Sequence, residues 1–246
     1  EIDVLQKARD GQIATALVMA GGLGRRLGSR TKNTPKPLLP VGGKPILEHV
    51  LRQLEDANIE DILISVHYLA EQIHDYVEKR ENRARIELVT EDEPRGTVGV
   101  LGDLSPITDA PILIVNGDVI THVDYGKLYD FHVRHGHDGT IGVARHDIEI
   151  PYGVVKTGED GLFLGIDEKP KISNFIAAGI YFLAQEFIGL VPQNRVMDMP
   201  ELLNLGQSMG LRMGVFPLHE YWIDVGQPND LAAADSEISD PQTSST

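Results

Sequence analysis

The chain has 246 residues, a formal net charge of -15, 41% apolar residues and no cysteine. This composition excludes a disordered chain, a disulfide framework and a thiolate metal site, and its acidity opposes an extended nucleic-acid or anionic-membrane surface. No apolar run reaches the roughly 18–20 residues that cross a bilayer, and the mixed, charged residues 1–14 lack a secretory-signal profile, so the expected location is a reducing cytoplasm.

The predicted elements begin with residues 15–20, TALVMA, a short buried strand running into Gly21, Gly22 and Gly24. Residues 45–58 place Ile46, Leu47, Val50, Leu51 and Leu54 on one helical face, with Pro45 suited to the first turn. Strands follow at 61–68, 85–90 and 111–116, separated by helices at 69–80 and 97–104; a helix at 123–135 leads to a strand at 139–146. This alternation predicts an α/β fold with a mostly parallel sheet. The second part is richer in strands: 152–157 and 162–167 flank the turn signal EDG, and 175–183 is a further strand. Helices near 185–190 and 198–208, a strand at 211–218 and a helix at 228–238 complete the chain, whose polar end is expected to be disordered. The expected organisation is a lead over 1–14, one domain over 15–238 with a β-rich lobe, and a tail over 239–246.

Charge is unevenly spread. From Gly11 to Leu47 there is no acid, while Arg25, Arg26, Arg30, Lys32, Lys36 and Lys44 give that segment +6, so the remainder carries -21 (-15 minus 6). A cationic pocket on an anionic body suits a small anionic ligand. The glycines do not form a P-loop, because GGKP at 42–45 lacks the hydroxyl. Nor do they form a dinucleotide fingerprint, because Gly28 follows Gly24 one residue too late. A wider glycine loop holding phosphates on its backbone N–H groups remains, with Arg26 as a planar fork and Lys36 as a point charge. A surface loop with solvated cations is the bland alternative.

AGGLGRRL followed by TPKPLLPVGGKPILEH resembles the opening signature of sugar-1-phosphate nucleotidylyltransferases, including an Arg ten residues before the Lys of Pro-Lys-Pro. EPRGTVGVL, VNGD, PYGVV, EKP, AAGIYFL and YWIDVGQPNDL follow in the family's order, so the likeness spans about residues 15–235. It resembles most the branch that includes glucosamine-1-phosphate guanylyltransferase of legionaminic acid synthesis. That branch often carries a regulatory pair of CBS domains upstream, and residues 1–14 resemble the stump of such a connection.

The resemblance implies a Rossmann-like nucleotidyltransferase sheet with a sugar-binding lobe. It implies attack of a sugar 1-phosphate on the α-phosphorus of an NTP, GTP favoured, releasing pyrophosphate. Gly21, Gly22, Gly24, Arg26 and Lys36 would surround the triphosphate, and Glu93, Gly96 and Thr97 would border the base. Gly153, Glu168 and Lys169 would meet the sugar and its phosphate, and Asp118 with Asp224 would ligate Mg²⁺. The implied catalytic set is Arg26, Lys36, Asp118 and Lys169. Four departures stand out: Arg25 replaces a common Thr, GSRT after Leu27 a common Pro-Leu-Thr, Arg95 a common Leu, and Ala177 an Asn that commonly touches the sugar, with Asn174 a nearby group to compensate. Two rival readings are a catalytically silent nucleotide-sugar-binding subunit and a cytidylyltransferase for a non-sugar phosphate such as phosphocholine. The nine histidines show no metal spacing, and His132, His135 and His137 read as a solvated helix end.

Overall fold

The computed structural model describes residue 13, residues 15–104 and residues 110–239. The expected lead and tail therefore lie outside the described residues, except for Ile13 and Ser239. In chain order the principal elements are β1 (Thr15–Met19), α1 (Ile46–Asp56), β2 (Asp61–Val66), α2 (Ala70–Lys79), β3 (Arg85–Thr90), β4 (Ile112–Asn116), β5 (Val119–Thr121) and α3 (Tyr125–Arg134). There follow β6 (Gly139–Glu149), β7 (Val154–Thr157), β8 (Phe163–Asp167), β9 (Lys171–Leu183), α4 (Gln185–Ile188), α5 (Met199–Ser208), β10 (Met213–Pro217), β11 (Trp222–Asp224) and α6 (Pro228–Ser239).

Seven strands form one sheet in the order β10-β6-β9-β4-β1-β2-β3. The pairs β1/β2, β1/β4, β2/β3 and β10/β6 are parallel, whereas β9 runs antiparallel to both β4 and β6. Continuous apolar runs build the centre because both faces are covered. Ala16, Val18, Ile62, Ile64, Leu113 and Val115 face a core shared with Leu47, Leu51 and Leu54 of α1, Ile73 of α2 and Leu128 of α3. Their neighbours Leu17, Leu63, Ile112 and Ile114 face the other core, with Val98, Phe187 and Leu202. Burying each such side chain contributes about 1.5–3 kcal/mol, and truncating the fully buried Leu51 to Ala would cost about 2–5 kcal/mol.

Two details position the site. Gly117 N donates to Met19 O at 2.9 Å, and a Cβ on Gly117 would lie 2.9 Å from that same oxygen. Glycine thus lets the ends of β4 and β1 close together, where open α/β sheets place their ligands. The β6/β9 ladder extends from Gly139↔Leu183 to Glu149↔Lys171, with a register shift between Ala177 and Tyr181 around Gly179, which is left-handed at φ +72°. Its outer half, from Ala177 to Lys171, pairs with β6 alone, and the β7/β8 hairpin lies between these two strands in the chain.

Some expectations are corrected. Within 97–104 the chain makes a 3₁₀ turn over Gly99–Gly102, not an α-helix, because glycines at 99 and 102 give little helical preference. β6 and β9 are longer than predicted. His132 is not solvated: it is buried, and its Nδ1 lies 2.9 Å from Thr140 Oγ1 on β6. Burial, helped by nearby His137, holds its pKa down at about 4.

Candidate active site

After β1 the chain passes through the glycine loop. Gly24 is left-handed at φ +59°, and a Cβ there would lie 2.8 Å from Thr31 Cγ2 and 3.2 Å from Lys36 Cβ. Glycine therefore lets the loop fold over Thr31, whose hydroxyl donates to Gly24 O at 3.0 Å. Arg25–Thr31 is a 3₁₀ segment broken at Gly28, and it leaves Arg25 and Arg26 exposed. Pro35 then fixes an extended backbone (φ -64°, ψ 145°) ahead of a short turn over Lys36–Leu38. This aims Lys36 inward, where it is only 7% exposed.

The buried ammonium meets two acids. Lys36 Nζ hydrogen-bonds Asp118 Oδ2 directly and lies 4.0 Å from Asp224 Oδ1. Asp118 follows β4. Asp224 ends β11, which pairs antiparallel with β5 so that Asp224 stands opposite Val119, and Val225 N donates to Asp118 O at 3.0 Å. Asp118 Oδ1 and Asp224 Oδ1 are buried with no hydrogen-bond partner. Burial first, then the neighbouring Asp118, pushes the Asp224 carboxyl above its ordinary value, with Lys36 and Arg26 opposing. An unsatisfied buried acceptor costs about 1–3 kcal/mol, so these two oxygens could accept a cation.

Two adjoining cavities of about 320 Å³ each meet here and share Gly22, Leu23 and Asp118. One is lined by Gly24, Arg25, Arg26, Lys36 and Gly226. The other is lined by Gly21, Ser65, His67, Glu91, Gly96, Thr97, Asn116 and Asp198. A Cβ on Gly22 would meet no atom within 4 Å, so this glycine borders open cleft. A larger cavity of about 430 Å³ lies between α1 and the β5–α3 connection, lined by His49, Arg52, His122 and Tyr125. It contains none of the predicted site residues, and convergent polar groups mark a site better than volume does.

The wall of the second cavity separates two neighbouring acids. Glu93 is exposed and does not line the cleft, whereas Glu91, two residues earlier, lines it and is buried. Glu91 accepts from Ser65 Oγ and from Arg95 N (3.0 Å), and its carbonyl oxygen accepts from His67 Nδ1 at 2.8 Å. Asp198 was equally invisible in the sequence. Its Oδ1 accepts from Thr97 N at 3.0 Å, while Thr97 Oγ1 accepts from Met199 N at 2.7 Å. The close approach served by Gly96, Gly99 and Gly102 is to the chain's own backbone. Cβ atoms there would lie 2.5 Å from Met197 O, 2.5 Å from Arg195 O and 2.6 Å from Pro192 O. Arg95, unexplained in the sequence, forms an ion pair with Asp103.

Gly153, Glu168 and Lys169 gather on the β7/β8 hairpin. A Cβ on Gly153 would sit 2.9 Å from Ile166 Cδ1 and 3.1 Å from Glu168 Oε2. Lys169 is left-handed at φ +46° immediately before Pro170, a strained conformation for a non-glycine residue. Ala177 is exposed on β9, opposite Val143. Asn174 does not compensate for it, because pleating puts Asn174 on the face of Ile176 and Ala177 on the other. Trp222 packs against the core and donates from Nε1 to Ala178 O at 2.8 Å, as expected of a structural side chain.

The family described as nucleotidyl transferase matches residues 15–240. The chain belongs to this family. As a nucleotidyl transferase it is similar to the mannose-1-phosphate guanylyltransferase catalytic subunit beta of Drosophila pseudoobscura pseudoobscura, 35% identical over 222 residues, which cover 87% of this chain and 60% of the fly protein. The mannose-1-phosphate guanyltransferase of Saccharomyces cerevisiae is 33% identical over 227 residues, covering 87% and 62%. The chain thus spans about three fifths of the length of these curated relatives. The crystal structure of HddC from Yersinia pseudotuberculosis, complexed with GMP-PN, matches with a TM-score of 0.73 at 27% identity, covering 91% of this chain and 99% of HddC. The nucleotidyl transferase sheet is therefore the mostly parallel one expected. Among the described residues no helix is long and apolar enough to cross a membrane.

Proposed function

We propose that the chain transfers GMP from GTP to a sugar 1-phosphate, giving a GDP-sugar and pyrophosphate. The observation that carries this reading is the convergence of Lys36, Asp118 and Asp224 beside an open glycine loop, with one unpartnered oxygen on each carboxylate. The mannose-1-phosphate guanylyltransferase relatives and HddC, described with GMP-PN, support guanine as the base. Guanine's edge carries adjacent N–H donors, and Glu91, Asn116 and Asp198 offer acceptors along the second cavity.

In this reading the backbone of Gly21, Gly22 and Gly24 holds the phosphates, Arg26 forks onto their outer oxygens, and Lys36 draws charge from the α-phosphate. Glu91, Gly96 and Thr97 shape the base side. On the hairpin, Gly153 and Glu168 border the sugar, and Lys169 orients its phosphate. That phosphate is largely dianionic at neutral pH, so its oxygen forms the new bond to the α-phosphorus without a base, and the bond to the pyrophosphate oxygen breaks. The work left to the protein is alignment and charge stabilisation, which explains the absence of a histidine-centred pair from the site. Asp118 and Asp224 fit Mg²⁺, a hard cation that takes carboxylate oxygens, and they would hold it. Bound there, Mg²⁺ would offset the negative charge of the phosphates.

The test is pyrophosphate release with Mg²⁺, crossing GTP, ATP, CTP, UTP and dTTP against mannose, glucosamine, N-acetylglucosamine, glucose and heptose 1-phosphates. GTP with one sugar is the expected productive pair, mannose 1-phosphate being the first acceptor to try. Turnover with phosphocholine and CTP alone, or nucleotide binding without turnover on any acceptor, would overturn the proposal.

A further inference from the structure

Arg25, one of the departures from the family pattern, is a cation with no acid to hold. It is exposed beside Arg26 in the turn that Leu27 N closes onto Gly24 O at 2.9 Å, and buried Leu27 anchors that turn. Among the described residues no ion pair engages Arg25, although the chain carries 37 acids. Exposed cations elsewhere do find an acid: Arg85 holds Asp61 at 2.8 Å, Arg134 holds Asp130 at 3.1 Å and Lys156 holds Asp167 at 2.7 Å. Arg26 is committed differently. A Cβ on Gly226 would lie 3.7 Å from Arg26 Nη1 and 3.1 Å from Asp224 Oδ1, so this guanidinium leans to the side of Asp224, whose carboxyl feels its charge.

Both arginines line the cavity that also holds Lys36 and Asp118. There Arg26 and Lys36 face Asp118 and Asp224, two cations against two acids, so the charge left to attract an anion is that of Arg25. Depth orders the phosphates. Lys36 is buried at the inner end, where the two cavities share Gly22, Leu23 and Asp118, and the exposed arginines stand at the outer end. A nucleotide with its base in the second cavity keeps its α-phosphate at the shared boundary and extends its outer phosphates towards Arg25. We propose that Arg25 binds the terminal phosphates of the triphosphate, and the pyrophosphate they become, as a second fork beside Arg26. This assignment rests on the nucleotidyl-transfer reading. In that step the sugar phosphate oxygen bonds to the α-phosphorus, the bond from that phosphorus to the bridging oxygen breaks, and its electron pair leaves with pyrophosphate. Negative charge thus grows on the side where Arg25 stands, and a planar guanidinium takes two phosphate oxygens at once. Arg25 therefore strengthens the hold on GTP and also on the departing product.

Titration calorimetry with Mg²⁺ and three probes, GTP, GMP and inorganic pyrophosphate, tests the assignment. Arg25→Met should weaken GTP and pyrophosphate about tenfold, on the scale of a lost charge-assisted hydrogen bond, and keep GMP within about twofold of the unaltered chain. Arg30→Met removes an equally exposed cation of the same segment that does not line the cavity, and should keep all three probes within about twofold. The pyrophosphate concentration that halves the forward rate should also rise about tenfold in Arg25→Met. Both side chains are exposed, so a native circular dichroism spectrum is expected of each variant. Undiminished GTP and pyrophosphate binding in Arg25→Met, an equal loss of GMP, or an equal loss in Arg30→Met would overturn the proposal and leave the transfer reading standing. An unaltered chain that binds no GTP would overturn both.

Discussion

Asp118 and Asp224 reach one ammonium group through a ladder three residues long. Val119 pairs with Asp224 at one end of β5/β11 and Thr121 with Trp222 at the other. The sheet delivers Asp118, and this small ladder delivers Asp224 beside it. Lys36, held between two prolines, supplies the charge that lets the two half-buried acids stand together.

That arrangement predicts steep losses on substitution. Lys36→Ala and Asp118→Asn should each lower turnover by 10²-fold or more, about 3 kcal/mol of transition-state stabilisation, with far-ultraviolet circular dichroism unchanged. Asp224→Asn should raise the Mg²⁺ concentration needed for half-maximal rate. Near-normal kinetics in folded variants would remove these groups from the reaction.

Neighbouring glycines should part company. Gly22→Ala meets no protein atom and has no left-handed backbone, so stability should change by less than about 0.5 kcal/mol. If the phosphates lie against it, GTP affinity should fall about tenfold, or ~1.4 kcal/mol, by calorimetry. Gly24→Ala combines φ +59° with a close contact to Thr31 and should lose about 1–3 kcal/mol in urea unfolding. Unchanged GTP affinity in Gly22→Ala would move the nucleotide elsewhere.

A buried ion network should dominate stability far from the cleft. Arg80 donates to Glu48 Oε2 and to both Glu55 oxygens, each at 2.7 Å. Burial alone would raise Glu48, but hydrogen bonds from Tyr76, Arg52 and Arg80 hold it at about 2; Arg80 does the same for Glu55 against its burial. Arg80→Met would remove the cation the two carboxylates share, leaving Glu48 to Arg52 and Tyr76 and Glu55 to Arg83, and should cost about 3 kcal/mol, the low end for a broken buried pair. Because both acids are depressed when folded, their contribution is present above about 4.5 and lost as pH falls towards 2. A variant as stable as the unaltered chain would refute the network's role.

His132 titrates in a separate window. Its folded pKa of about 4 lies below the unfolded 6.5, so the unfolded chain binds the proton first. Stability from neutral His132 is full above about pH 6.5 and declines as pH falls towards 4, by about 3 kcal/mol in all. Urea midpoints between pH 7.5 and 5 should fall in the unaltered chain and flatten in His132→Gln. An identical slope in the variant would assign the effect to other groups.

Much of this was readable from residue order because central strands must be apolar on both faces: TALVM, DILISV and ILIVN admit little else. Lys36 and Asp118 stood out through fixed spacing and position after a strand. The β5/β11 ladder did not, since three residues give no periodicity. Glu91 could not be separated from Glu93 without knowing which acid turns under Ser65. Asp198 answers to Thr97, 101 residues away, and His132 to a hydroxyl on the next strand, so neither has a local signal.

The three glycines at 96, 99 and 102 have a consequence for redesign. Bare backbone lies on bare backbone there, so the segment facing the cleft and the segment leading into α5 form a single cassette. Exchanging residues 91–103 with those of a relative to alter nucleotide choice would leave the graft resting on a foreign template. The swap calls for residues 192–199 to travel with it, much as a lock cylinder is replaced together with its housing.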